Sequence, residues 1–231
     1  MAAVSFLTVL GRARPPDQRT LAWFPLVGAG LGAVLAVVWW SAQQVWTPGV
    51  AASIVVAADL ALTGLLHIDG LADSADGMLA PMSRHRRLEV MRRPDVGAFG
   101  VAVVALAILS RWTALAAGPV EPVALVALWC VSRTLVAVVP ALVPYAREEG
   151  LAALFLVGAR RWYAVWLIPA AALLTVWRGP LGVVAVVVAI ATAAGIVTLA
   201  RHRLGGFTGD VLGATIVASE TTALLTLAVQ P

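Results

Sequence analysis

The sequence has no lysine, one cysteine and very few charges. All sixteen basic side chains are arginine, and charged residues make up 12% of the 231-residue chain against 61% hydrophobic ones. A soluble domain of this length keeps roughly a quarter or more of its surface charged, so a water-soluble globule is excluded. The single cysteine, Cys130, allows no intrachain disulfide and no cysteine metal cluster, and it sits in an apolar run as a small packed hydrophobe. No dinucleotide fingerprint, P-loop, HExxH pair or GxSxG elbow is present, and no repeat recurs at a fixed period. Met1–Leu10 has neither a charged start nor a cleavage site, so no signal peptide is expected.

What remains is hydrophobic length. Seven segments reach or approach the ~20 residues of a membrane-crossing helix. They are Trp23–Trp46, Val50–His67, Ala98–Ala117, Pro122–Val143, Trp162–Trp177, Leu181–Ala200 and Val211–Val229. The expected fold is an all-α polytopic integral membrane bundle of about seven transmembrane helices. It forms one membrane-embedded catalytic domain over residues 1–231, with a short cytoplasmic N-terminal arm, residues 1–22. Gly28, Gly30 and Gly32 in the first span suggest close helix contact, although ordinary glycine use in a membrane helix explains them equally well.

The arginines orient the bundle. Thirteen of the sixteen fall in the N-terminal arm (Arg12, Arg14, Arg19) or in three alternate loops. Those loops carry Arg84, Arg86, Arg87, Arg92 and Arg93; Arg147, Arg160 and Arg161; and Arg201 and Arg203. The opposite side has only Arg178. The positive-inside rule therefore puts the N-terminus and these loops in the cytoplasm. The net charge of +4 reflects this topology and not nucleic-acid binding. Most acids, including Glu89, Asp95, Glu148 and Glu149, fall on the same side, so the chemistry is expected there.

The stretch HIDGLADSADG places Asp69, Asp73 and Asp76 just after the second span. If that span continues as helix, the three carboxylates lie at i, i+4 and i+7 on one face. They repel unless a cation compensates them, and clustered carboxylate oxygens suit Mg²⁺ or Mn²⁺. Gly70 and Gly77 would leave space for a phosphate to approach the backbone. The next stretch, SRHRRLEVMRRPDVGAFG, supplies five guanidiniums whose forks match phosphate oxygens. Acids beside arginines are the parts of a phosphoryl or nucleotidyl transfer site. The alternatives are a solvated helix end for the acids, and topology signalling with anionic-lipid contact for the arginines. His67 is read either as a metal ligand or as a proton acceptor, and otherwise as an interfacial histidine.

Three further features stand out. Arg133 and Glu220 lie mid-span, where charge is expensive; they form a structural ion pair or serve the site. Asp59 and Arg111 raise the same question. LGGFTGDVLGA, with Thr208 and Asp210, offers a glycine-lined helix N-terminus to an anion, and Asp210 is expected to cap that helix.

FPLVGAGLGA, HIDGLADSADG, RRLEVMRRPDVGAFG, VSR, YAREEGL and GGFTGDVLGA, in this order from about Phe6 to Glu220, resemble the motifs of the cobalamin synthase family, adenosylcobinamide-GDP ribazoletransferase. The resemblance implies a Mg²⁺-dependent, multi-pass enzyme of the bacterial inner membrane with its active site facing the cytoplasm. It implies that adenosylcobinamide-GDP and α-ribazole, or its 5′-phosphate, give adenosylcobalamin, or its 5′-phosphate, and GMP. The family's aspartate motif falls on Asp69, Asp73 and Asp76, its loop motif on Arg92, Asp95 and Gly97, and its late glycine motif on Thr208 and Asp210. The expected catalytic set is Asp69, Asp73, Asp76 and His67, with the three aspartates holding the metal. The expected substrate-binding set adds Arg84, Arg93, Arg133 and Arg147. The arm GRARPPDQRT departs from the family's usual run, and Asp59 matches no family position.

Two other classes compete. A CDP-alcohol phosphotransferase carries a related acidic signature. A transporter would use midplane charges such as Arg133 and Glu220, but the acids gather at one face instead. Expected partners are the corrinoid nucleotide, α-ribazole and membrane lipid, with no nucleic acid. A homo-oligomer or a complex with other corrinoid enzymes is left open.

Overall fold

Proline sets where the helices begin. Pro25, Pro48, Pro122 and Pro180 each occupy the first turn of a long helix, where the missing N–H costs nothing and φ is already helical. In the computed structural model, which describes residues 2–12, 15–118, 120–147, 150 and 156–229, the chain is almost wholly helical. The order is α1 (Ala2–Leu7), α2 (Phe24–Val45), α3 (Pro48–Leu62), α4 (Leu66–Leu79) and α5 (Arg84–Val90), then α6 (Ala98–Ala117), α7 (Pro122–Val138), α8 (Leu167–Arg178), α9 (Pro180–Leu204) and α10 (Gly209–Leu227). Among the described residues there is no strand, only an isolated bridge between Tyr145 and Phe207.

Among the described residues the core has two large apolar clusters and a small third one at Leu71, Ala107, Ala214 and Val217. One large cluster joins Trp39, Ala52, Leu125, Leu174, Ala185 and Leu224. The other joins Phe24, Met91, Val136, Leu204, Phe207 and Ile216, at the end that carries the arginine-rich loops. The backbones of α2 and α7 approach closely. Gly28 and Gly32, one turn apart, rest on the Trp129 and Leu125 carbonyls of α7, where any side chain would collide; Gly30 faces open space. Lipid is as apolar as the side chains, so this close backbone approach, and not exclusion of water, holds the two helices together.

Among the described residues five helices are long and apolar enough to cross a membrane, and six if α3 and α4 together count as one broken span. The protein is therefore multi-pass, but two of the seven expected crossings are not continuous helices. The segment expected at Trp162–Trp177 winds first as a 3-10 helix, Arg161–Trp166, and then as the 12-residue α8. At 1.5 Å per residue α8 covers only about 18 Å. The span expected to reach His67 stops at Leu62. There Gly64 (φ 59°) and Leu65 (φ 63°) are left-handed, and α4 leaves at 87° to α3. So α4 does not continue the direction of α3. It packs along the N-terminal halves of α6 and α10, against Gly100 of α6 and Asp210 and Gly213 of α10, with Leu71 clustered with Ala107 and Val217.

Candidate active site

The three aspartates share a face because they belong to α4 itself, not because the second span runs on. Gly70 is the contact that seats α4: a Cβ there would stand 2.9 Å from the Asp210 carbonyl oxygen. Gly77 is filled in turn by Met91. The space expected above these glycines for a phosphate is therefore occupied by protein. At the far end, buried Arg87 donates to the Gly77 and Met78 carbonyls at 2.7 and 3.0 Å and so caps the C-terminus of α4.

A second segment is brought to α4 by a backbone clip. Phe207 N–H donates to the Pro144 carbonyl at 2.9 Å, and Ala146 N–H donates to the Phe207 carbonyl at 2.8 Å. Tyr145 packs edge-on against Phe207, with ring centroids 5.3 Å apart. This places Arg147 beside α10, where its NH2 group donates to Asp210 Oδ2 at 2.6 Å. The residue that caps α10 is Thr208, not Asp210. Its hydroxyl accepts the Val211 N–H at 3.2 Å, which leaves the Asp210 carboxylate to Arg147.

Arg147 lines two adjoining cavities. One, of about 250 Å³, is walled by Phe6, Phe24, Leu66, Tyr145, Leu212 and Ile216, with His67, Asp69, Asp210 and Arg147 as its polar lining. Those polar groups come from the first turns of α4 and α10 and from the clipped segment, all at the arginine-rich end. The other, of about 460 Å³, is basic. Arg84, Arg92 and Arg147 line it together with His85 and Glu89. The Arg84 guanidinium lies over Gly205, whose left-handed φ of 80° ends α9.

Charge is crowded between the cavities. Burial pushes the Asp73 carboxyl up to about 7; Asp210, Asp69 and Asp76 add to the rise, and Arg147 opposes it. Burial, and the positive charges of Arg133 and Arg111, hold the His67 imidazole well below its usual range. His67 Nε2 has no hydrogen-bond partner among the described residues. Asp76 differs from its neighbours, because its two oxygens accept the N–H groups of Gly97 (2.7 Å) and Gly100 (2.9 Å) at the start of α6.

Among the described residues no three His, Cys, Asp or Glu side chains converge closely enough to enclose a metal ion. Mg²⁺ does not ask for that. It commonly takes one or two carboxylates and completes its shell with water and substrate phosphate. Asp69 and Asp73, one helical turn apart and short of counter-charge, fit an open site of this kind.

The structure thus gathers Asp69, Asp73, Asp76, His67, Arg84, Arg92, Arg147, Thr208 and Asp210 at one end of the bundle, with Gly97 bound to Asp76. It does not gather the rest. Arg93 and Asp95 lie exposed beyond both cavities. Arg133 is fully buried and pairs with Glu220 inside the bundle. Arg14, Glu148 and Glu149 lie outside the described residues. Sequence reasoning missed the apolar cavity. Its wall is drawn from α1, α2, α4, α7 and α10, and no local pattern links Phe6 to Ile216.

Comparison with known proteins identifies the family. The sequence profile described as Cobalamin-5-phosphate synthase matches residues 1–228. A protein of Prosthecochloris aestuarii named adenosylcobinamide-GDP ribazoletransferase is 36% identical, covering 95% of this chain and 92% of its own length. Proteins with the same name from Bradyrhizobium diazoefficiens (36% identical, 98% of this chain, 91% of that protein) and Deinococcus radiodurans (37%, 96% and 82%) are similar to it as well. No solved structure matches the chain significantly. With the profile spanning nearly every residue and relatives 36% identical over almost the whole chain, the chain belongs to the cobalamin-5-phosphate synthase family of transferases.

Proposed function

We propose that the protein joins α-ribazole, or its 5′-phosphate, to adenosylcobinamide-GDP and releases GMP, with Mg²⁺ as its metal. The observation that carries this reading is the Arg147–Asp210 pair. It stands where an apolar cavity meets a basic one, and three more carboxylates crowd beside it. An uncharged aromatic nucleoside and a diphosphate need opposite surroundings, brought to within bonding distance of each other. The relatives' printed name supplies two such substrates.

In this reading Arg84, Arg92 and Arg147 hold the phosphate oxygens of the donor. A ribose hydroxyl of the acceptor attacks the phosphorus bonded to cobinamide, a new P–O bond forms, and the bond to the bridging oxygen breaks to release GMP. The hydroxyl proton passes to the carboxylate of Asp69, which lines the apolar cavity. Asp69 and Asp73 would hold the Mg²⁺, with Asp76 fixed behind them by the two glycine amides and Asp210 facing them from α10. When bound, the ion neutralises charge that develops on the leaving phosphate. Fixing both substrates in line supplies much of the acceleration, because a bimolecular step becomes effectively unimolecular.

The arginine-rich end, with the N-terminus, faces the cytoplasm of a bacterial inner membrane in this reading. The support is that thirteen of sixteen arginines lie in the arm and loops of that end. The test is the purified protein in detergent with adenosylcobinamide-GDP, α-ribazole and Mg²⁺, followed for GMP and the corrinoid product. Asp73→Ala is expected to abolish GMP release while still inserting. Near-normal turnover by that variant removes Asp73 from the site, and no turnover by the unsubstituted protein rejects the assignment.

A further inference from the structure

Resting on the function just proposed, we infer that the apolar cavity is the seat of the acceptor's aromatic base, with Phe6 of α1 and Phe24 of α2 forming its aromatic wall. The two rings are stacked, with centroids 6.0 Å apart and planes 23° from parallel. Phe24, Leu212 and Ile216 are buried, so that part of the wall is fixed before any ligand arrives. Leu66 and Tyr145 complete it.

Size and polarity select the occupant. About 250 Å³ is slightly below the roughly 300 Å³ at which drug-sized ligand cavities begin, so only a small group fits. A corrin macrocycle is several times too large, and a diphosphate has no place against phenylalanine and leucine. The base of α-ribazole is a dimethylated benzimidazole, flat and uncharged, with an apolar edge. Seated there, it points its ribose at Asp69 and Asp210, and Arg147 stands at the seam with the basic cavity. The N-terminal helix, whose sequence departs from the family pattern just after it, thereby becomes part of acceptor recognition.

The wall makes a prediction that a purely structural role does not. A methyl group in an apolar pocket changes kcat/KM by roughly tenfold or more. The protein is therefore expected to prefer α-ribazole to the riboside of unmethylated benzimidazole by at least that factor. Phe6→Ala should raise the KM for α-ribazole about tenfold, shrink the preference for the methylated base, and leave the KM for adenosylcobinamide-GDP within about twofold. Leu66→Trp, at a half-exposed wall position, fills the cavity and should raise the acceptor KM alone. Leu66→Trp decides the question if Phe6→Ala fails a melting and gel-filtration check. Unchanged acceptor KM and unchanged base preference in a folded variant overturn the assignment, as does a rise confined to the donor. If the unsubstituted protein releases no GMP, the reaction itself is rejected and this seat with it. Normal turnover with an indifferent wall rejects the seat alone.

Discussion

Asp76 accepts the Gly97 amide at 2.7 Å across 21 residues of sequence, so a carboxylate from α4 caps the first turn of α6. Its other oxygen takes the Gly100 amide at 2.9 Å, and a Cβ at Gly100 would strike that carboxylate. Asp76 is thus bound into the architecture in a way that Asp69 and Asp73 are not. Asp76→Ala removes the acceptor of two helix-terminal N–H groups at a site 8% exposed. Leaving the buried Gly100 N–H unpaired costs about 1–3 kcal/mol. The variant is expected to melt several degrees lower in detergent, whereas Asp73→Asn, which removes a repelled charge, melts no lower than the parent. Equal melting temperatures for Asp76→Ala and the parent would contradict the capping role.

The crowding at Asp73 predicts how stability follows pH. Its folded-state carboxyl is pushed from 3.8 to about 7, first by burial and then by Asp210, Asp69 and Asp76. Between those values the folded protein binds a proton that the unfolded chain has released. Stability must therefore fall as pH rises from about 4 to about 7, with no further loss from this group above that. Chelator-treated protein should show this downward slope in melting temperature. Asp73→Asn should flatten it. Millimolar Mg²⁺ should raise the melting temperature most at the upper end of the window, by binding the ionised form. A melting temperature that rises through the window, or a slope indifferent to Asp73→Asn, would show that the carboxylates do not interact as described.

Arg147 serves both cavities and is fixed by Asp210 at 2.6 Å, with a longer bond to the Met91 carbonyl at 3.3 Å. A lysine keeps the charge but loses the planar fork that can hold Asp210 and a phosphate together. Arg147→Lys is expected to raise the KM for adenosylcobinamide-GDP by about tenfold or more, with a smaller change for α-ribazole, in steady-state kinetics. A parental donor KM would place the phosphates elsewhere.

Much of this was legible in the residues. The apolar runs located the long helices, and arginine asymmetry grouped the polar loops on one side of the bundle. The aspartate spacing identified one face of α4, because a period of 3.6 holds within any helix, whichever way it points. The 87° turn was not legible, since it depends on left-handed Gly64 and Leu65, and a leucine rarely adopts that conformation, so nothing in the residue type announces it. Nor was the partner of Asp59. A charge at membrane depth announces that a partner exists without naming it, and Arg111 is 52 residues away. The apolar cavity escaped for a related reason: Phe6 and Ile216 read separately as ordinary core or span residues, and only the fold makes them face one space.

The charges inside the bundle form one network, and it separates structure from catalysis. Arg111 donates to Asp59 at 2.7 Å and to Glu220 at 2.6 Å, and Arg133 pairs with the second Glu220 oxygen. Trp129 Nε1 donates to Asp59 at 3.0 Å and Ser132 to Glu220 at 2.7 Å. All of these charged groups are at least nine-tenths buried. Two arginines face two carboxylates, so the cluster is neutral as a whole, and removing one member leaves an uncompensated charge in a dry interior. Breaking such a pair costs about 3–5 kcal/mol. Glu220→Ala is therefore expected to lose most of its folded yield or to melt far below the parent. The isosteric Glu220→Gln, which keeps acceptor and shape, should fold better but still below the parent. Whatever fraction of Glu220→Gln folds should show parental KM values for both substrates, because neither cavity is lined by this residue. A parental melting temperature for Glu220→Ala would refute the network's structural role, and a selective rise in one substrate's KM in folded Glu220→Gln would move the cluster into the active site.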